Sequence, residues 1–161
     1  MNGQRGFTLA ELVIVMVITS VLAVVAIPRL FDKSEFAARG GRDFVASALR
    51  YAQKSAIAMR RNVCVSVTGS TVRATFADAN GSDQSCNAAN ALVHPANGLA
   101  FDDPANALPG GAAVAAAAAI VFDGAGRPLS APSSPLAATL AISVAGYAVP
   151  VTIEAETGLV H

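Results

Sequence analysis

RGFTLAELVIVMVI, residues 5–18, begins an apolar run that extends to Ile27 and decides how the rest of the chain is read. Residues 1–6 (MNGQRG) are short and polar, with Arg5 their one charged side chain. As a helix rising about 1.5 Å per residue, Phe7 to Ile27 spans about 30 Å, the thickness of a bilayer's hydrocarbon core. Arg5 precedes the run and Arg29 and Lys33 follow it, so positive charge on both flanks leaves the orientation open. A cleaved secretory signal would have a shorter apolar core, about 7–15 residues, and a small-residue cleavage site. This run instead ends in AIPRLF. A plain anchor fits the length but leaves Glu11 unexplained, because a carboxylate within an apolar helix costs about 2.5–3.5 kcal/mol on insertion scales and calls for a partner.

Working outward, Pro28 is expected to kink the helix, since proline removes a hydrogen bond and crowds the preceding turn. Beyond it the pattern stays helical but becomes amphipathic. Phe44, Val45, Ala48, Leu49, Ala52, Ala56 and Met59 recur at three-to-four-residue spacing. Arg39, Asp43, Ser47, Arg50, Lys54 and Arg61 follow the same period on the other side. The first stripe is expected to pack on a sheet, the second to face water or neighbouring subunits. Gly40 and Gly41 should weaken this helix by about 1 kcal/mol each relative to alanine.

After Arg61 the period changes to two. Val63, Val65 and Val67 share one side of a strand, with Cys64 and Ser66 on the other. Gly69–Ser70 is a tight turn, and residues 71–77 supply the paired strand. Residues 78–90 (DANGSDQSCNAAN) form a polar, turn-rich loop. The low-complexity residues 104–119 lead into a strand at 119–123, GAGRP makes a turn, and residues 128–135 make a longer loop. Residues 138–144 and 147–154 form a final hairpin around Ala145–Gly146. The expected class is α+β, a long N-terminal helix (transmembrane half plus amphipathic half) packed on a small antiparallel sheet.

The 161 residues suit one modest domain plus an anchor. With 11 basic and 11 acidic residues, the net charge of +0 gives no general cationic surface for nucleic acid or anionic lipid. Hydrophobic content is 53% against 14% charged, the excess lying in the N-terminal block and in many alanines. The two cysteines, Cys64 and Cys86, form either one disulfide, which needs an oxidising compartment such as the bacterial periplasm, or two buried thiols that never meet. The membrane signal favours the disulfide.

The stretch RGFTLAELVIVMVI resembles the class III signal of type IV prepilins and type II secretion pseudopilins: a glycine, then phenylalanine, then T-L-x-E-[LV] opening a hydrophobic helix. Carried over residue by residue, the resemblance makes Gly6 the last leader residue and Phe7 the first mature one. The family's prepilin peptidase would cut between them on the cytoplasmic side and methylate the Phe7 amine. Glu11 would be the acidic residue of the fifth mature position, and Pro28 the helix-kinking proline many members carry. The new amine would pair with Glu11 of a neighbouring subunit, offsetting a charge costly alone and setting axial register. The implied organisation is 1–6 leader peptide, 7–28 transmembrane and assembly helix, 29–61 amphipathic helix and 62–161 β-rich globular domain. Implied partners are other pilin or pseudopilin subunits, the prepilin peptidase and an inner-membrane assembly platform, with the globular domain in the periplasm.

More of the chain, though with weaker motifs, resembles minor pilins of the FimT/GspH group: LRYAQKSAIAMRRNVCV, the FDGAGRP turn and the closing TIEAETGLVH. The ending and a cysteine just after the helix are similar to MSHA-type minor pilins. Major pilins usually carry their disulfide near the C-terminus, which Cys64–Cys86 does not match. The resemblance therefore implies a minor pilin of a type IV pilus acting in assembly or initiation, with a type II secretion pseudopilin as the alternative.

No catalytic constellation appears and enzyme function is not expected. His94 precedes Pro95 in a loop and His161 is terminal, neither beside an evident nucleophile or acid. Asp78, Asn80 and Asp83 faintly resemble a calcium loop, but its sixth and twelfth positions hold Asp83 and Ala89 instead of glycine and an acid. No metal or other cofactor is expected. Some FimT-like minor pilins bind DNA through basic residues near the C-terminus. Here the end is EAETGLVH and Arg127 stands alone after Gly126, so nucleic acid is not an expected partner.

Overall fold

Val45 and Leu49, one helical turn apart, have no exposed surface, and the core is built around them. They belong to α2 (Lys33–Met59) in the computed structural model, which describes residues 8–30, 33–81 and 83–161, without the side chains at 25–30 and 33. The chain divides into two units, Met1–Lys33 and Ser34–His161. The first contains α1 (Leu9–Leu30).

In the second unit the apolar stripe on α2 is buried as its spacing predicts, through Val45, Ala48, Leu49, Ala52 and Ala56, with Phe44 and Met59 half-buried. It packs on one side of a six-stranded sheet whose neighbours all pair antiparallel. The strands are β1 (Arg61–Thr68), β2 (Thr71–Asn80), β3 (Cys86–Ala91), β4 (Ala118–Phe122), β5 (Pro128–Ala131) and β6 (Ser134–Pro135), in the order β3-β2-β1-β4-β5-β6. Val63, Val65 and Val67 of β1, Val72 of β2, and Ile120 and Phe122 of β4 face α2. Burying side chains of this size contributes about 1.5–3 kcal/mol each. A second sheet pairs β7 (Leu140–Ile142) with β8 (Val151–Ile153), adding Ile142, Val151 and Ile153 to the same core.

Several sequence expectations change in the fold. The polar loop at 78–90 is only part loop: β2 continues to Asn80 and β3 begins at Cys86. Asp78 accepts hydrogen bonds from Asn87 Nδ2 (2.8 Å) and Asn90 Nδ2 (2.6 Å), so side chains supply what the low strand propensity of CNAANA does not. Residues 128–135 are the hairpin β5–β6, with Pro128 at the first position of its strand, where a missing N–H is tolerated. The final hairpin is shorter than expected because Val144 bridges Val114 of the low-complexity stretch. Arg61 opens β1 and is not on the charged side of α2, since the helix ends at Met59 and Arg60 turns the chain with φ 54°.

Gly41 has a packing role beyond its cost to helix propensity. A Cβ there would lie 2.7 Å from Ala112 Cβ, so the glycine lets the loop after Leu108 cross α2 closely. That loop is pinned at Leu108 N to Ser70 O (2.8 Å) and Val114 N to Gly69 O (2.9 Å), the turn joining β1 and β2.

Candidate assembly segment and disulfide staple

Thr8, Leu9, Ala10 and Glu11 begin α1 as a helix start should. Thr8 Oγ1 accepts from the Glu11 backbone N–H at 3.3 Å, and the first intrahelical bond runs from Leu12 N to Thr8 O at 3.2 Å. Threonine at the N-cap with glutamate three positions on is the spacing of a capping box, a signal present in the sequence that the reading from hydropathy passed over. Glu11 thus sits in the first turn, where an acidic side chain complements the helix dipole.

Every described side chain of α1, from Leu9 to Val24, is exposed, and Glu11 is the single charged one among them. Leu12, Ile14, Met16, Ile18 and Leu22 all exceed half exposure. The two hydroxyls in the segment are satisfied internally: Thr19 Oγ1 donates to Val15 O (2.8 Å) and Met16 O (3.1 Å), and Ser20 Oγ to Val17 O (2.8 Å). No side-chain donor on this stretch therefore requires water, which suits apolar surroundings. Among the described residues, no helix is long and apolar enough to cross a membrane. Gly6 and Phe7, the expected cleavage and methylation positions, lie outside the described residues, and Pro28 falls in the last turn of α1 with its side chain outside them.

Cys64 and Cys86 are joined in a disulfide, Cα–Cα 6.0 Å apart. It reaches from β1 past β2 to the start of β3, and Asn62 Nδ2 donates to Gln84 O (2.8 Å) beside it. Closing a loop of 22 residues contributes about 3 kcal/mol in the chain-entropy account. Asp78, next to this staple, has its pKa lowered by the hydrogen bonds from Asn87 and Asn90 and, more weakly, by the Arg61 charge. Among the described residues no three His, Cys, Asp or Glu side chains are grouped to hold a metal ion.

Two fastenings escaped sequence reasoning. Arg50, expected on the solvated side of α2, donates twice to Val160 O (3.1 and 3.0 Å), and Gln53 Nε2 donates to Gly126 O (2.9 Å). The GAGRP turn is organised by Asp123, which is 2% exposed. Its Oδ1 accepts from Ala125 N (2.9 Å) and Arg127 N (2.8 Å), while Oδ2 accepts from Arg127 Nε (2.9 Å). Arg127 is consequently committed to Asp123. His94 stacks on Phe44 (centroids 5.7 Å) and meets Phe101 edge-on (5.1 Å), and His161 lies 3.8 Å from Glu154.

Residues 1–27 match the family model of the prokaryotic N-terminal methylation motif. Among curated proteins, the type IV narrow pilus major component PilA5 of Thermus thermophilus is 36% identical over 92 residues, which cover 52% of this chain and 79% of that protein. No solved structure matches.

Proposed function

This chain belongs to the type IV pilin-like family, and from that premise we propose that it is a minor subunit of a type IV pilus, MSHA-like, acting in filament assembly or initiation. The family implies an N-terminal prepilin signal, membrane anchoring, and association with other pilin subunits. On the finer reading, prepilin peptidase cuts between Gly6 and Phe7 and methylates Phe7. Residues 7–28 then hold the subunit in the inner membrane, with 62–161 in the periplasm and Pro28 bending the helix. The methylated amine of Phe7 pairs with Glu11 of a neighbouring subunit, and the inner-membrane platform moves subunits into the filament.

The observation that carries this reading is α1 itself: apolar on all described sides, bare, and bearing one carboxylate in its first turn. Such a helix needs an apolar cover, and its carboxylate needs a cation. A lipid bilayer and then the packed helices of other pilin subunits supply the first, and the Phe7 amine the second. A pseudopilin of a type II secretion system would use the same parts and is the second reading. The pilus is favoured by the name of the matched relative, a pilus component, whereas the minor role rests on the Cys64–Cys86 position near the helix. The commitment of Arg127 to Asp123 counts against a DNA-uptake role at the C-terminal end.

The deciding measurement is the N-terminal peptide mass of the protein from membranes, with and without prepilin peptidase. A chain starting at methylated Phe7 is expected when the enzyme is present. A chain retaining Met1 in both cases sinks the proposal. Quantitative mass spectrometry of sheared filaments then separates a minor subunit from a major one.

A further inference from the structure

The outward side of α2 forms one continuous ridge. Phe36, Arg39, Asp43, Arg50, Lys54 and Ile57 all project within about 60° of one line at 100° per residue, over about 30 Å. Phe36 is 83% and Ile57 48% exposed, so an apolar side chain stands at each end of a polar middle. Asp43 is paired with Arg42 at 3.2 Å. Arg39 and Lys54 meet no carboxylate among the described residues, and Arg50 is spent on a carbonyl that leaves its charge uncompensated.

The zero net charge hides a segregation. Of the 11 basic residues nine lie at or before Arg61, and of the 11 acidic residues seven lie after it. Part of that acidic excess is presented by the small hairpin at 93–103, closed by the Val93–Ala100 bridge and by His94 N to Leu99 O (2.7 Å). Val93 and Leu99 are 47% and 41% exposed on it, and Asp102 and Asp103 follow. Asp103 Oδ1 accepts from Ala105 N, and Asp102 holds a loose, exposed contact to Arg73 at 3.4 Å. The hairpin is braced on its own helix by Phe44–His94 and Tyr51–Phe101, so its acidic, apolar base is presented on a firm support.

We propose that the α2 ridge docks the 93–103 hairpin of a second copy of this chain, Arg39 and Lys54 facing Asp102 and Asp103, with Phe36 or Ile57 against Val93 and Leu99. The inference rests on the subunit reading above. Ridge against ridge would set like charges together, whereas ridge against hairpin sets opposite charges together. Because the two patches differ, the contact is heterologous and leaves the pair with one unused ridge on one copy and one unused hairpin on the other, the geometry of an open filament.

The test is carbodiimide cross-linking of the full chain in its own membranes and sheared filaments, with the joined peptides mapped by mass spectrometry. Carbodiimide joins an amine directly to a carboxylate in contact, so an intermolecular Lys54–Asp102 or Lys54–Asp103 link is expected. Intermolecularity is read from mixed isotope-labelled copies. R39E/K54Q, which removes no internal hydrogen bond, should lower copy–copy association about tenfold, as two exposed ion pairs would. D102K/D103K on a co-expressed R39E copy should restore it. Absence of the Lys54 link, or unchanged association in R39E/K54Q, overturns the proposal. So does a ridge variant that loses retention on anionic phospholipid vesicles while copies still associate, because the ridge would then face lipid. Leader cleavage and filament entry are scored separately, so a chain that enters filaments with its links elsewhere removes this contact and leaves the subunit reading standing.

Discussion

Glu11, Asp123 and Gly41 are three residues whose chemistry makes sense only with their surroundings. Glu11 costs energy in an apolar helix, and among the described residues its local partner is Thr8, met by its backbone N–H and not its carboxylate. Glu11→Val should therefore leave membrane insertion intact, since it makes the helix more apolar, while incorporation into filaments falls about tenfold or more if the proposed pairing with the Phe7 amine holds. Normal incorporation of this variant, scored by immunoblot of sheared filaments, would remove the pairing argument. Asp123 is buried and accepts from three donors, so Asp123→Ala takes the acceptor from Ala125 N and Arg127 N, while the largely exposed Arg127 guanidinium is released to water. A loss of about 1–3 kcal/mol is expected in chemical denaturation, with Asp123→Asn recovering part of it. Gly41 inverts its propensity: alanine would gain about 1 kcal/mol as a helix former, yet its Cβ would sit 2.7 Å from Ala112 Cβ. Gly41→Ala is expected to destabilise by about 1–2 kcal/mol because the crowding is against a braced loop; a higher melting temperature would show that the loop yields.

At the scale of elements, the parts legible in the sequence were those whose own side chains do the work. Valines at 63, 65 and 67 alternate because one side of β1 is buried, and the stripe from Val45 to Ala56 repeats because one side of α2 is. Glu11 stood out for the same reason, as a charge where the pattern demands none. β3 was not legible, because CNAANA contains no β-branched or aromatic residue and is a strand only through contacts made at a distance: the disulfide and the Asp78 fork to Asn87 and Asn90. The hairpin β5–β6 was hidden by its prolines, which read as loop until Pro128 is seen at a strand's first position. Arg50 looked solvated because nothing local announces that the Val160 carbonyl, 110 positions on, will arrive beside it. β3 should accordingly be the first strand to loosen. Replacing both cysteines by serine should cost about 3 kcal/mol, with hydrogen exchange rising first over Cys86–Ala91 while Arg61–Thr68 stays protected. Acid acts on the same strand. The folded-state pKa of Asp78 lies below its ordinary 3.8, so the tether is intact above that value and is lost as pH falls through the depressed pKa. Protection factors at Asn87 and Asn90, with the intrinsic pH dependence of exchange divided out, should fall as the pH drops below 3.8 in the wild type and stay unchanged there in Asp78→Asn.

For the whole molecule, the decisive fact is how differently the two units meet their surroundings. Ser34–His161 encloses its own core, with Val45, Leu49, Val63, Phe122 and Val151 all lacking exposed surface, and closes it with a disulfide. α1 encloses nothing: its described apolar side chains are all exposed. The first unit presents apolar surface that calls for a cover, on the proposed reading lipid or other subunits, while the second encloses its own core. A chain beginning at Ser34 and secreted into an oxidising compartment should then be soluble, its copies meeting only through the weak contact between the α2 ridge and the 93–103 hairpin. It should show two-state unfolding and the same disulfide, because removing α1 takes no residue from the buried cluster. It should also fail to enter filaments, even when wild-type subunits are present. Sedimentation and denaturant unfolding of the truncated chain test the first half, and co-expression with the intact chain tests the second. A truncated chain that aggregates or melts without cooperativity would mean that Ser34–His161 draws stability from residues before it, and the division of labour between anchor and body would have to be abandoned.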